Sequence, residues 1–404
     1  MITGQDLVEW QLKVASGSEL PIKDQSMIPC IGHSMEARIY AENPAKDFLP
    51  ATGNIWYHSP PVSANLEEGG VRVDSGLESG NDVSVYYDPM VSKMIVHGEN
   101  REEARSKLIQ NLHNYQVAGV PTNIPFLIKC AQHQVFAEPG GINTSFLEEY
   151  KDDVKVETDV EPLQQSICAL VACLALDDRS STDNSSDESL GPWSSYSGSW
   201  RSSYRLQRHL KPLQNEVNDT LPEIRCFCNV DGSFDVTICA DGRLWNYTLQ
   251  GTYSDDDKFD VILNGSTKKS YKAATKVDTV AGTIQVHIWS AAYEKQGATR
   301  MVFAHPLYLQ KEEGSDSLSQ ERNGKQNIIA PMPGKVTRIH FREGEKVNKS
   351  DVLIVMESMK MEHAIKSDVS GYLSTINCKI GDVINDSEVL GTISEDIDEC
   401  KVAS

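Results

Sequence analysis

The chain has 404 residues, 39% of them hydrophobic and 24% charged, with a formal net charge of −20. That length exceeds one ordinary core and points to two or three domains. The acidic excess argues against nucleic acid or an anionic membrane as a partner, since phosphate recognition needs clustered Lys and Arg, and no apolar run approaches the roughly 18 residues that span a bilayer.

In chain order, "MITGQDLVEWQLKVASG" reads as an amphipathic helix. Asp6 stands at its cap, Glu9 follows three residues on, Leu7, Trp10 and Val14 recur at helical spacing, and Gly17 stops it. No charged leader or Arg-rich presequence stands before it, and a chain that opens inside an element reads as the remainder of a longer domain. "HSMEARIYAE" and "DVSVYYDPMVSKMIVHG" read as strands. "NREEARSKLIQNLHNYQVAG" reads as a helix with Asn100 as N-cap, Glu102 and Glu103 in the first turn and Gly119 as stop. Residues 1–150 are thus expected to form a compact α+β piece.

A short apolar helix, "LQQSICALVACLAL", comes next. The stretch from Asp177 to about Ser203 is rich in Ser and Asp and reads as loop or disorder. From Ile224 to Leu307 short alternating strands are punctuated by turn pairs such as Asp231-Gly232 and Asn264-Gly265, which predicts an all-β module, a small barrel. It holds no cluster of catalytic residue types and reads as a structural or partner-binding domain. A second polar segment, "QKEEGSDSLSQERNGKQ", reads as a flexible tether. The expected division is therefore 1–150, 160–310 with a polar loop at 177–203, a linker at 311–326 and a last domain at 327–396.

Nine cysteines are scattered along the chain. The closest pair, Cys226 and Cys228, has no second pair to complete a zinc site, so no metal is expected and the thiols read as buried or idle in a reducing compartment. Sequons such as Asn184-Ser-Ser and Asn246-Tyr-Thr read as chance matches.

The last region repeats itself at an offset of 37 residues. "GKVTRIHFREGEKVNKSDVL" from Gly334 lies without gaps over "GYLSTINCKIGDVINDSEVL" from Gly371, with identities that include Ile339/Ile376, Gly344/Gly381, Asn348/Asn385 and Leu353/Leu390. Two copies of one β unit, each too small to bury its own face, predict a pseudo-twofold β-sandwich. Lys360 in "ESMKMEH" then falls at the turn joining two strands near the symmetry axis, exposed between Met359 and Met361. Thioethers there offer adaptable contact, where a bare turn would carry Gly, Asn or Asp.

"APMPGKV" at 330–336 followed by "ESMKMEH" resembles the biotin carboxyl carrier domain of biotin-dependent carboxylases. The resemblance implies that biotin is amide-linked to Lys360, flanked by Met359 and Met361 as recognition residues. Ser358 stands where the family usually has alanine. Lipoyl domains share that flattened-sandwich fold but usually carry D-K-A at the tip. "TGQDLVEWQLKVASG", "VRVDSGLESGNDVSVYYDPMVSKMIV" and "GVPTNIPFL" are similar to the C-terminal lobe of biotin carboxylase, and the middle region to the helix-plus-barrel subunit-contact domain of acyl-CoA carboxylases. "WQL", "YYDPM" and "KMEH" most resemble the methylcrotonoyl-CoA branch of that family, with the propionyl-CoA branch as alternative.

The resemblance implies a biotin-bearing, alpha-type subunit of the mitochondrial matrix, active in leucine degradation. Its partners would be a carboxyltransferase beta subunit, biotin protein ligase and other alpha subunits, and not nucleic acid or a membrane. In the family the ATP-grasp lobes, with the residues for ATP, Mg and bicarbonate, precede the segment that matches Met1. The chain is therefore expected to accept biotin but not to carboxylate it alone. Arg72 in "GGVRVDSG" corresponds to the arginine that contacts the ureido oxygen of biotin, and Asp88 in "YYDPM" to a residue supporting that pocket or an interface. A lipoyl-type carrier and a non-catalytic interaction protein are the alternatives from other classes.

Overall fold

The computed structural model describes residues 1–61, 71–138, 140, 142–156, 160–182, 206–213, 222–229, 231–240, 242–254, 258–290, 298–304, 325–358, 361–385 and 388–394. Glu157–Gln320 forms a compact unit of its own.

The chain begins with α1 (Leu7–Ala15), capped as its sequence predicts: Asp6 Oδ1 accepts from the Val8 and Glu9 amides at 3.0 Å. Beyond it β1 (His33–Tyr40), β2 (Val71–Ser75) and β3 (Met90–Gly98) form an antiparallel sheet in the order β1-β3-β2. Met35, Ala37 and Ile39 of β1 alternate inward. Helix α2 (Arg101–Asn114) lays Ala104, Leu108 and Leu112 on that face. Asn100 Oδ1 accepts from the Glu103 amide at 2.9 Å and caps it. Helix α3 (Ile124–Gln132) is pinned to β1 by the buried Asn123, whose amide group bonds the Tyr40 N–H at 3.0 Å and the Arg38 carbonyl at 3.1 Å.

One expected boundary moves. Helix α2 stops at Asn114, before Gly119, because Gln116–Ala118 is buried, extended and paired with Tyr57–Ser59. Gly119 serves that pairing instead. Its φ is +125°, and a Cβ there would lie 2.0 Å from the Asn54 carbonyl oxygen.

In the middle unit, β4 (Leu206–Leu210), β5 (Glu223–Cys228), β6 (Phe234–Ala240), β7 (Arg243–Ser254), β8 (Lys258–Leu263), β9 (Thr267–Asp278), β10 (Thr283–Ser290) and β11 (Ala298–Ala304) each pair antiparallel with the next. The chain just after β4 then pairs with β11. Pro212 bridges Phe303, the Leu213 amide donates to the Val302 carbonyl at 2.8 Å, and the Ala304 amide to the Lys211 carbonyl at 2.9 Å. These bonds join the first and last strands, so the sheet closes on itself as a barrel and its edges are not left open.

Helix α4 (Pro162–Thr182) supplies the centre. Every residue from Ile167 to Cys173 is at most 1% exposed, on all sides of the helix, as its apolar run requires. Leu170 meets Phe259 over Gly251, where a Cβ would approach the Phe259 ring to 2.5 Å. Cys168, Cys173 and Cys226 belong to this core; burial raises the pKa of Cys168, and a hydrogen bond with Cys173, together with burial, raises that of Cys226. The helix runs to Thr182, past the expected start of the polar loop at Asp177, since extending a formed helix costs little. The rest of that loop, and the 311–326 linker apart from its last two residues, lie outside the described residues.

The last region holds β12 (Lys325–Ile329), β13 (Gly334–Ile339), β14 (Lys346–Val347), β15 (Val352–Ser358), β16 (Met361–Lys366), β17 (Gly371–Ile376), β18 (Val383–Ile384) and β19 (Val389–Ser394). They make two four-stranded sheets, β12-β19-β17-β14 and β16-β15-β13-β18. Shifting the first copy by 37 residues converts one sheet into the other. The bulge between Val336 and Arg338 recurs between Leu373 and Thr375. The Val336 amide donates to the Asp382 carbonyl at 2.9 Å, and the Leu373 amide to the Glu345 carbonyl at 3.0 Å. The short strand of each copy joins the sheet of the other, so the halves interlock. Val336, Val347, Leu353 and Met356 meet their counterparts Leu373, Ile384, Leu390 and Ile393 in one core.

Ser358, where β15 ends, is 1% exposed, and its hydroxyl has no hydrogen-bond partner among the described residues. A buried hydroxyl without a partner costs stability.

Two substitutions test this packing. Leu170→Ala leaves a cavity inside a closed barrel that cannot collapse onto it, and should lower unfolding free energy by about 2–5 kcal/mol in denaturant titration. Ser358→Ala removes the orphaned hydroxyl, and the variant should unfold at the same or higher denaturant concentration, a gain of up to about 1 kcal/mol.

Candidate functional site

Two places carry the candidate residues. The first is the end of the β15–β16 hairpin. Leu353, Ile354 and Met356 hold β15 in the core, and the ladder runs Met356 to His363, Glu357 to Glu362 and Ser358 to Met361. The pairing of Ser358 with Met361 leaves two residues of chain between them, Met359 and Lys360. Both lie outside the described residues, as does the side chain of Met361. Just below, Glu357 and Glu362 face each other across the ladder, and their like charges are offset by basic neighbours on β13. Arg338 lies 3.3 Å from Glu362, and Lys335 pairs with Glu357. His363 is half-buried, and burial holds its pKa below the ordinary value. Ala330 and Met332 of "APMPGKV" are 1% exposed, and the Ala330 amide donates to the Glu388 carbonyl at 2.9 Å.

The second place is built around Arg72 on β2. Central strand β3 sets Arg72 opposite Ile95 and brings in His97 two residues further on. The cavity there, 630 Å³ in volume, is lined by Arg72, His97, Met1 and residues 4–8, which lead into α1. Arg72 Nε donates to Asp74 Oδ1 at 2.7 Å, two residues along the same face of the strand. That hydrogen bond, and the carboxylate charge behind it, raise the pKa of Arg72 above its already high ordinary value. The side chain is 51% exposed. A guanidinium held by one carboxylate through Nε keeps its terminal nitrogens for a second acceptor, such as a carbonyl-type oxygen.

Asp88 is elsewhere. It sits exposed in the turn before β3 and accepts from the Met90 amide at 2.9 Å, a turn-capping bond, and it is not among the residues lining the Arg72 cavity. The sequence reading did not single out Asp74 or His97. Asp74 had a usable signal, since i and i+2 on a strand share a face. His97 had none, because its place follows from the order of three strands.

The domain family described as "Biotin carboxylase C-terminal domain" matches residues 36–149, and "Biotin-requiring enzyme" matches residues 326–393. Methylcrotonoyl-CoA carboxylase subunit alpha, mitochondrial, of Glycine max is 33% identical over 420 residues, 98% of this chain and 54% of the relative. The subunit of that name in Rattus norvegicus is 32% identical, covering 93% of this chain and 49% of the relative. Propionyl-CoA carboxylase alpha chain, mitochondrial, of Sus scrofa is 28% identical over 96% of this chain and 50% of its own length. The chain thus spans about half the length of the curated relatives it matches. It belongs to the biotin-dependent carboxylase family, with a biotin carboxylase C-terminal domain and a biotin-requiring domain, and is related along nearly its whole length to methylcrotonoyl-CoA carboxylase alpha subunits.

Proposed function

We propose that the chain is the biotin-bearing part of an alpha-type acyl-CoA carboxylase subunit, acting on methylcrotonoyl-CoA in leucine degradation. The single observation that carries this reading is the interlocked twofold sandwich whose β15–β16 ladder ends at Ser358 and Met361, with the lysine of M-K-M in the two-residue interval. Higher identity to methylcrotonoyl-CoA than to propionyl-CoA subunits supports the substrate. The relatives' names, which say mitochondrial, support a mitochondrial location.

Under this reading Lys360 Nζ forms an amide with the carboxyl group of biotin, made by biotin protein ligase with Met359 and Met361 as flanking contacts. Bound biotin supplies a ureido nitrogen that carries a carboxylate between two sites. The rigid sandwich presents the lysine, and residues 311–326 tether it, holding the group at roughly millimolar concentration near each site. Residues 160–310 contact neighbouring subunits. Residues 1–150 contribute Arg72, whose guanidinium stabilises negative charge on the ureido oxygen while Asp74 fixes its direction. A carboxyltransferase beta subunit receives the carboxylate. ATP, Mg and bicarbonate are bound by parts of the enzyme beyond these residues, so the 404 residues alone take biotin without carboxylating it.

Co-expression with a biotin ligase should give one biotin adduct in the intact mass, absent in Lys360→Arg, and the purified chain should show no bicarbonate-dependent ATP consumption. A lipoyl adduct, or no adduct, would identify a different carrier or an interaction protein. In the assembled carboxylase, Arg72→Ala should lower kcat for biotin carboxylation by about 10²–10³-fold, with ATP binding unchanged. Asp74→Asn, which keeps shape but loses charge, should fall between that variant and the native enzyme.

A further inference from the structure

Three side chains meet where α4 lies against the first two strands of the barrel. Cys173 on α4 and Cys226 on β5 are 0% and 1% exposed, and both stand as thiols. They share a side-chain hydrogen bond, so the two sulfurs are in direct contact across the gap between helix and strand. Strand register brings in the third group. Arg208 on β4 sits directly opposite Cys226, so both side chains leave the sheet on its inner face. Arg208 Nη1 then donates to the Cys173 carbonyl at 2.9 Å.

This arrangement has a chemistry that packing alone does not need. A disulfide requires two sulfurs in reach of each other on converging side chains, and here they come from separate elements. Cys168, earlier on the same helix, is shifted by burial alone. Cys228, at i+2 from Cys226, donates to the Asn229 carbonyl at 3.6 Å. The Arg208 charge favours a thiolate on Cys226, while the shared hydrogen bond and burial oppose it and keep the pair protonated at rest. Arg208 itself is part-buried, so the pair borders solvent on that side.

We infer that Cys173 and Cys226 are a redox-sensitive pair whose disulfide staples α4 to the barrel wall. A hydroperoxide is the oxidant. The two thiols give up two protons and two electrons, one S–S bond forms and the peroxide O–O bond breaks, so that hydrogen peroxide leaves as two waters. A small-molecule thiol reverses the step by exchange through a mixed disulfide. In the reduced state the helix is held by packing. In the oxidised state it is also held covalently, and the cross-link removes freedom from the unfolded chain. The inference concerns the middle unit and does not depend on which group Lys360 carries.

The test treats the purified full chain with hydrogen peroxide, quenches it, unfolds it in N-ethylmaleimide and maps its peptides by mass spectrometry without reduction. A Cys173–Cys226 linked peptide is expected, lighter by two hydrogens than its parts and absent after dithiothreitol. The thermal midpoint of the oxidised chain should rise by about 5–15 °C and return on reduction. Cys226→Ser should abolish the link and the rise, and Cys30→Ser, at an exposed thiol, should keep both. Mapping of the native chain decides the question even where a core substitution unfolds the protein. Peroxide that oxidises Cys30 yet leaves Cys173 and Cys226 labelled by maleimide overturns the inference. So does a link from either of them to another cysteine, or a midpoint that stays put once the link is complete.

Discussion

The exchange of one short strand between the two halves of the last domain is the constraint on which that domain depends. β14 belongs to the first copy by sequence but pairs with β17 of the second, and β18 does the reverse. Backbone bonds therefore join the two copies within both sheets, and neither half has a complete sheet without the other. A unit of about 70 residues has little apolar surface with which to hold itself rigid. Interlocking the halves makes each core residue serve both. The β15–β16 hairpin is then anchored by Leu353, Ile354 and Met356 of β15 and Ile365 of β16.

The middle unit meets a comparable need by other means. Its antiparallel meander would leave two open edges, and the Lys211–Leu213 stretch closes them by pairing with β11. What fills the barrel is a helix whose apolar residues leave no polar face from Ile167 to Cys173. A helix of that composition would be insoluble on a surface, and a barrel without it would be hollow. Each element is stable because the other is there. Gly251 marks the closest approach, where the absence of a side chain admits Phe259 and Leu170.

Arg72 and Asp74 show how little scaffold a charge-presenting site requires. Two residues of one strand, on one face, give a guanidinium whose direction is held by a carboxylate at 2.7 Å. The half-exposed position keeps it available to a ligand. The rest of the cavity comes from residues far apart in the chain, including the start of α1, whose apolar face continues from the same wall.

Local features were legible in the amino-acid sequence wherever they are fixed by short-range chemistry. The Asp6 and Asn100 caps, the apolar run of α4 and the strand alternation of β1 each follow from neighbouring residues. The repeat was legible too, because a gapless 37-residue match constrains both copies to the same strand pairing, and with it the position of Lys360 between two strand ends. What neighbouring residues do not encode is closure and approach. The end of α2 at Asn114 was decided by pairing of Gln116–Ala118 with a strand some 60 residues earlier. His97 joined Arg72 through the order of three strands, and Asp88 was turned to a capping bond outside their cavity. The exposure of α1 was also beyond reach, since an amphipathic pattern shows that a helix wants a partner surface, and only the packed tertiary structure reveals whether this chain supplies one.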